Sequence, residues 1–210
     1  MKKITEIIDY TYLKPFARWE DIKSLCDSAK SANVASVCIP PTYVKRAVDY
    51  LDGAVPVCTV IGFPLGYQKT DLKIKEAELA VSDGVSELDM VVNIGDLKDK
   101  RYDVIENEIR SLKKVAGERI LKVIIETCYL NDEEKIIMCD LIIKAGADFV
   151  KTSTGFGDAG ATVHDVELLY RHSEGKIRVK ASGGIRTGAQ ALELMKAGAQ
   201  RIGSSVLLED

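Results

Sequence analysis

Two lysines stand in similar settings within short apolar segments of the chain. The segment V-K-T-S-T-G contains Lys151, the segment V-K-A-S-G-G contains Lys180, and 29 positions separate the two lysines. A charged amine is costly to bury, so such a lysine either finds a partner or loses its proton. Two adjacent ammonium groups disfavour each other's charge, and an uncharged amine can attack a carbonyl group. The pair therefore indicates Schiff-base chemistry; the alternative is that both lysines reach solvent or pair with carboxylates.

Two aspartates are candidates to act with these lysines. Asp89 stands in E-L-D-M-V-V-N, within a third apolar segment, and Asp9 stands in I-I-D-Y-T. Opposite two lysines, Asp89 would be suited to carry protons, although an aspartate at a strand end can also cap a loop. Asp9 could hold a lysine by hydrogen bonding or could cap a turn. We therefore predict that Lys151, Lys180 and Asp89 are catalytic and that Asp9 supports them.

Glycine and serine residues follow three apolar segments in the C-terminal part of the chain. They are Gly155, the pair at 183–184 and the run G-S-S at 203–205. Glycine lets backbone N–H groups converge on a phosphate, and serine hydroxyls add donors. Each glycine could instead serve only in a turn, but three such sites after consecutive strands favour a phosphate-binding region. Arg186 is a further phosphate candidate or else a surface residue.

These candidates lie at the ends of segments that have the composition of strands. Short apolar and β-branched runs predict strands at 7–11, 34–39, 55–61, 86–92, 120–126, 148–152, 177–181 and 201–203. Apolar residues at helical spacing predict helices at 19–32, 71–82, 104–115, 133–145 and 189–197. Asn131 with Glu134, and Thr187 with Gln190, have the spacing of capping boxes at helix N-termini.

The alternation of these elements predicts the fold. Strands that alternate with helices form a parallel sheet with the helices packed outside it. Seven or eight strands, with no linker segment between them, predict one domain, 1–210, folded as a TIM (β/α)₈ barrel. In that fold the chemistry takes place where the strands end and the following loops begin, which is where the candidate residues stand. The alternative is an open, doubly wound sheet.

Composition and charge argue against several classes of function. Lys plus Arg number 29 and Asp plus Glu number 32, so a net charge of −3 provides no attraction for nucleic acid or an anionic membrane. No apolar run approaches the ~20 residues of a membrane span. No apolar region of a secretory signal follows Lys2 and Lys3. Five cysteines without C-x-x-C spacing, and two histidines, predict a cytoplasmic protein with reduced thiols and no metal site.

Along nearly its whole length the chain resembles the deoxyribose-phosphate aldolase family. The matching motifs are I-D-Y-T-Y-L-K-P at 8–15, V-C-I-P-P at 37–41, V-I-G-F-P-L-G at 60–66, E-L-D-M-V-V-N-I-G at 87–95, V-K-T-S-T-G at 150–155, V-K-A-S-G-G-I-R at 179–186 and R-I-G-S-S at 201–205. The resemblance implies a TIM barrel that reversibly cleaves 2-deoxyribose 5-phosphate to glyceraldehyde 3-phosphate and acetaldehyde. It further implies a homodimer or homotetramer that needs no metal and no cofactor.

The resemblance also implies roles for individual residues. Lys151 is similar to the Schiff-base lysine, Lys180 to the second lysine, Asp89 to the carboxylate of a proton relay and Asp9 to the aspartate that contacts the second lysine. The substrate-binding residues predicted in this way are Asp9, Thr11, Cys38, Thr154, Gly155, Gly183, Gly184, Gly203, Ser204 and Ser205. Two positions depart from the family pattern: Tyr10 replaces a common histidine, and Val206 replaces a common serine near the phosphate.

Two other functions fit the same residues. A related lysine aldolase could act on a different phosphorylated aldehyde. A barrel that binds a phosphosugar without catalysis would retain the phosphate-binding glycines, but it would not need two lysines and an aspartate.

Overall fold

Eight parallel strands close into a barrel in the order of the sequence. The computed structural model describes residues 4–208, and in it β1 pairs with both β2 and β8. The strands are β1 (Ile8–Thr11), β2 (Ser36–Ile39), β3 (Val57–Ile61), β4 (Glu87–Val91), β5 (Ile120–Ile124), β6 (Phe149–Lys151), β7 (Arg178–Ser182) and β8 (Arg201–Ser204). Because β1 and β8 are hydrogen bonded, the TIM barrel is confirmed and the open sheet is wrong.

Helices connect successive strands around the outside of the barrel. They are α1 (Trp19–Ala32), α2 (Val44–Leu51), α3 (Thr70–Ser82), α4 (Ile94–Lys98), α5 (Tyr102–Ala116), α6 (Asp132–Ala145), α7 (Val163–Ser173) and α8 (Gly188–Lys196). Three 3₁₀ turns accompany them, at Thr5–Ile7, Pro41–Tyr43 and Thr127–Tyr129. The five predicted helices are all present. Within residues 4–208, no helix combines the length and the apolar character needed to cross a membrane.

Local hydrogen bonds fix the helix ends that the sequence marks. Asn131 Oδ1 accepts a 2.8 Å hydrogen bond from Glu134 N, and Glu134 Oε2 accepts one of 2.9 Å from Asn131 N. Thr187 and Gln190 form the same reciprocal pair at the start of α8. Each pair satisfies two backbone donors that would otherwise lack partners, so both predicted capping boxes are confirmed.

The apolar core lies between the strands and the helices, and the barrel interior is charged. Val150 and Val179 belong to the apolar core, whereas the adjacent Lys151 and Lys180 do not. Successive side chains of a strand point to opposite faces of the sheet, so both lysines point into the barrel. The same alternation turns Asp89 inward between its core neighbours on β4.

Candidate active site

The register of the barrel places the predicted lysines side by side. In the pairing of β6 with β7, Lys151 and Lys180 are Cα partners. In the pairing of β4 with β5, Asp89 is aligned with Lys122. Asp9 lies on β1, at 0% exposure, and faces the same interior. Side chains from five strands therefore meet in one buried layer.

The carboxylate of Asp89 accepts hydrogen bonds from three lysines. Its Oδ2 atom accepts one of 2.7 Å from Lys151 Nζ and another of 2.7 Å from Lys180 Nζ. Its Oδ1 atom accepts one of 2.8 Å from Lys122 Nζ. Burial raises the pKa of Asp89, but the three lysines lower it well below the usual 3.8. Asp89 is therefore a carboxylate at neutral pH, in hydrogen-bond contact with three amines.

Asp9 holds the other side of Lys180. Its Oδ2 atom accepts a hydrogen bond from Lys180 Nζ, and its Oδ1 atom accepts one from Arg201. Burial raises the pKa of Asp9, but Lys122, Lys180 and Arg201 lower it below its usual value. Burial also lowers the pKa of Lys180, but Asp89 and Asp9 raise it above 10.5. Lys180 is therefore a cation at neutral pH, shared by two carboxylates.

Three charged residues of this layer were not predicted: Lys122, Glu87 and Arg201. Lys122 Nζ lies 2.5 Å from Glu87 Oε2, and Arg201 Nη1 lies 3.1 Å from the same oxygen. Each of the three stands in a predicted strand, as Lys151 and Lys180 do. The signal was thus the same, a charged residue inside an apolar strand, and it could have identified all three.

The buried network contains one more cation than carboxylates. Its members are Lys122, Lys151, Lys180 and Arg201 on one side and Asp9, Glu87 and Asp89 on the other. Within the described residues, Lys151 contacts a single carboxylate, whereas each of the other three cations contacts at least two. Lys151 is therefore the cation whose charge is least compensated.

We expect Lys122→Met to destabilise the protein strongly. The change removes the cation nearest to Glu87, at 2.5 Å, and the one lysine that contacts Asp89 Oδ1 among the described residues, and breaking such a buried pair costs about 3–5 kcal/mol. The free energy of unfolding in urea measures the loss. Lys45→Met is the matched control, because Lys45 forms an exposed pair with Asp49 that contributes less than about 1 kcal/mol. Equal losses in the two variants would show that the network does not stabilise the barrel.

We also expect acid to destabilise the protein partly through Asp9. Its pKa is lowered by folding, so below about pH 4 the unfolded chain binds more protons than the folded one, and stability falls as the pH falls. Asp9→Asn removes this titrating group. Below about pH 4, the free energy of unfolding of the variant should therefore fall less steeply with decreasing pH than that of the wild-type protein. Urea titrations at several pH values measure the two slopes. Identical slopes would contradict the assignment.

A cavity of about 500 Å³ opens above the charged layer, at the carboxyl ends of the strands. Of the three lysines in the charged network, Lys151 alone is a wall residue of this cavity. Other predicted residues that line it are Thr11, Thr154, Gly155, Gly183, Gly184, Gly203, Ser204 and Ser205. A small carbonyl compound in the cavity would therefore meet the amine of Lys151, with Asp89 directly beneath it.

Backbone geometry keeps one side of the cavity open. Gly183 has φ +86°, and a Cβ atom there would lie 3.0 Å from Gly160 Cα, so a side chain would be strained and crowded. Ser204 Oγ donates to Val206 O at 2.8 Å and accepts from Val206 N at 3.2 Å. The Ser204 hydroxyl also lies 3.1 Å from Ile185 O, so backbone groups occupy it, whereas the exposed Ser205 can donate to a ligand.

Glu126 positions the loop that carries Thr154 and was not predicted to do so. Glu126 follows β5 in a left-handed backbone conformation, with φ +51°. The residue is 3% exposed. Its carboxylate accepts hydrogen bonds from Thr154 N at 3.2 Å and from the Thr154 hydroxyl. A left-handed conformation is unfavourable for a glutamate, so these bonds offset its cost.

Known proteins share both the sequence and the barrel. The DeoC/LacD family aldolases match over residues 5–209. The chain belongs to this family. It is 53% identical over 205 residues to the deoxyribose-phosphate aldolase of Clostridioides difficile (strain 630), covering 98% of this chain and 94% of that protein.

Two solved structures have the same fold as this family member. The aldolase QR15 superposes with a TM-score of 0.94 at 42% identity and covers 98% of this chain and 92% of its own. The tetrameric deoxyribose phosphate aldolase of Aeropyrum pernix superposes with a TM-score of 0.90 at 32% identity and covers 96% of this chain and 86% of its own.

Two of the predicted substrate-binding residues lie below the cavity rather than in its wall. Asp9 is buried beneath Lys180, and Cys38 is fully buried in a small cluster with Cys58 and Val60. In the pairing of β2 with β3, Cys38 is the partner of Cys58, whose thiol hydrogen bond lowers the pKa of Cys38. Any effect of these two residues on substrate therefore passes through the side chains above them.

Two groups of side chains have the spacing of metal ligands, but the carboxylates in both groups are already paired with lysines. The first consists of Cys38, Cys58 and Asp89, and the second of Asp132, His164 and Asp165. Three amines contact Asp89, and Lys135 Nζ lies 3.1 Å from Asp132 and 2.6 Å from Asp165. These cations would repel a metal ion from both groups. Metal independence stays a prediction, which the chelator experiment below tests.

Proposed function

We propose that this chain reversibly cleaves 2-deoxyribose 5-phosphate to glyceraldehyde 3-phosphate and acetaldehyde through a Schiff base on Lys151. One observation carries the proposal. Asp89 Oδ2 accepts hydrogen bonds of 2.7 Å from both Lys151 and Lys180, and only the first of these lysines reaches the cavity. A nucleophile, a carboxylate and a fixed cation are therefore in direct contact at the cavity floor. Membership of the aldolase family supports the same reaction.

The charge balance explains why Lys151 would be the nucleophile. Four cations face three carboxylates in the network, so loss of one proton leaves it balanced. Lys151 has the fewest carboxylate contacts and, unlike Lys180, lines the cavity, so it is the amine that a carbonyl compound can reach. Attack on a carbonyl requires that this amine be uncharged. Lys180 is bound to two carboxylates and remains charged.

The bond changes follow from this arrangement. Lys151 Nζ adds to C1 of the open-chain aldehyde, and loss of water leaves an iminium. The C3 hydroxyl then loses its proton, the bond between C2 and C3 breaks, and its electron pair enters the iminium to form an enamine. Glyceraldehyde 3-phosphate departs. Protonation of the enamine at C2 and addition of water release acetaldehyde and restore the amine.

Asp89 and Lys180 are placed to move these protons. Asp89 Oδ2 contacts the nucleophilic nitrogen directly, and the same oxygen accepts a hydrogen bond from Lys180, a second proton donor. General acid–base groups must be within hydrogen-bond reach of the proton they transfer, directly or through one water. We assign proton transfer to Asp89 and Lys180 and the holding of Lys180 to Asp9.

A retro-aldol assay tests the function. The protein is mixed with 2-deoxyribose 5-phosphate, and glyceraldehyde 3-phosphate and acetaldehyde are measured separately, with and without a chelator. We expect equal amounts of both products and no effect of the chelator. Binding without products would support a phosphosugar-binding barrel, products from a different phosphorylated aldehyde would support a related aldolase, and inhibition by the chelator would contradict metal independence.

We further propose that the chain is one aldolase domain that assembles into a homodimer or homotetramer in the cytoplasm. A relative described as tetrameric supports assembly. Leu72 and Leu79, seven positions apart on α3, are 62% and 57% exposed and provide apolar surface for a second copy. Five free cysteines support a reducing compartment. Sedimentation velocity would reveal the assembly, and a monomer at micromolar concentration would contradict it.

A further inference from the structure

The mouth of the cavity is positively charged. The charged residues among those that line it are Lys14, Lys151 and Arg186, and none of the lining residues is an aspartate or a glutamate. Lys14 and Arg186 are exposed, and within residues 4–208 neither side chain forms an ion pair. Two uncompensated cations beside a cavity attract an anion, and the walls between them concentrate the field.

The strand order places Lys14 and Arg186 on opposite sides of the loop that follows β8 and carries Ser205. β8 lies between β7 and β1 in the closed barrel, and Tyr10 of β1 is the Cα partner of Ser204. Lys14 follows β1, Arg186 follows β7, and Ser205 follows β8 between them. A phosphate over the end of β8 would therefore lie between the two cations.

Local contacts fix the loop that carries Lys14. Tyr12 N donates to Cys38 O at 2.9 Å, and Ala17 N donates to Lys14 O at 3.0 Å. Tyr43 Oη then donates to Ala17 O at 2.8 Å. The backbone on both sides of Lys14 is thus held before a ligand arrives, so less ordering entropy is lost when its amine binds.

We propose that Lys14 is a specificity-determining residue that selects phosphorylated over unphosphorylated substrates. This inference rests on the proposed function and extends it, because it assigns to the loop after β1 a cation for the phosphate. The ammonium group contributes a charge-assisted hydrogen bond to the phosphate dianion from the side opposite Arg186. It does not touch the reacting carbons, so it acts on binding and leaves the bond-breaking step unchanged.

The test compares two sugars in one variant. Lys14→Gln keeps the length and polarity of the side chain and removes its charge. The variant loses the binding free energy of a hydrogen bond between two charged groups. We therefore expect kcat/KM for 2-deoxyribose 5-phosphate to fall about 10-fold, mostly because KM rises. The value for unphosphorylated 2-deoxyribose should not change. Lys14→Arg should keep most of the preference, and Lys196→Gln, on the exposed surface of α8, is the matched control.

A second measurement makes the inference independent of turnover. Inorganic phosphate should raise the melting temperature of the wild-type protein, and Lys14→Gln should need about 10-fold more phosphate for the same shift. Lys14→Gln with the wild-type sugar preference would overturn the inference and leave the proposed function intact. A wild-type protein that cleaves neither sugar would remove the proposed function. In that case, equal phosphate responses of the wild type and Lys14→Gln would overturn the inference as well.

Discussion

Lys151→Ala should abolish turnover while leaving a folded protein. Without the amine there is no iminium to accept the electrons of the breaking C2–C3 bond, so we expect kcat to fall by at least about 10⁴-fold. The fold should persist, because removal of this one cation leaves three cations and three carboxylates in the network. The retro-aldol assay measures the first expectation and urea unfolding the second.

An exposed lysine provides the control for this change. Lys144→Ala removes an exposed lysine from α6 and should not alter turnover or stability. A Lys151→Ala variant with normal turnover would contradict the mechanism. A circular dichroism spectrum shows whether an inactive Lys151→Ala variant is unfolded. If it is, Lys151→Met, which retains the bulk of the side chain, is tested in its place.

The second large effect is expected for Lys180→Leu. Loss of an acid–base group lowers rates by about 10²–10⁴-fold, so kcat should fall by this factor even though Lys151 is intact. Asp89 keeps Lys122 and Lys151 as partners, and Asp9 keeps Arg201, so the barrel should remain folded. Activity equal to the wild type would reduce Lys180 to a structural residue.

A pH profile separates a catalytic role of Lys180 from a structural one. An acid–base group gives the pH profile of kcat/KM one of its limbs, so removing Lys180 should change the shape of the profile as well as its height. A lower rate with an unchanged profile would mean that Lys180 supports the geometry of the site but not its protonation.

The elements of the barrel could be predicted because their signals are local. All eight strands lie within two residues of the segments that their composition indicated, and the capping boxes marked two helix starts. Three helices are not among the five predicted ones: α4, with five residues, α2, with eight, and α7, with eleven. The first two present only one or two turns of periodicity, and packing against neighbouring strands stabilises them instead.

The charged layer could be predicted only in part, because its composition depends on register across the whole barrel. Lys151 and Lys180 are on neighbouring strands, and their similar motifs indicated that they meet. Arg201 reaches Asp9, 192 positions away in the chain, and Glu87, 114 positions away. No local pattern contains such distances. The burial of Cys38 below the cavity has the same origin, since it depends on the alignment of β2 with β3.

Trapping with sodium borohydride tests most directly whether the amine of Lys151 forms the intermediate. The wild-type protein is incubated with 2-deoxyribose 5-phosphate and borohydride, and tryptic peptides are examined by mass spectrometry. Reduction of the iminium should add a stable mass to the peptide that contains Lys151 and to no peptide that contains Lys180, Lys122 or Lys14. Turnover with an unlabelled Lys151, or a label on another lysine, would contradict the proposed mechanism.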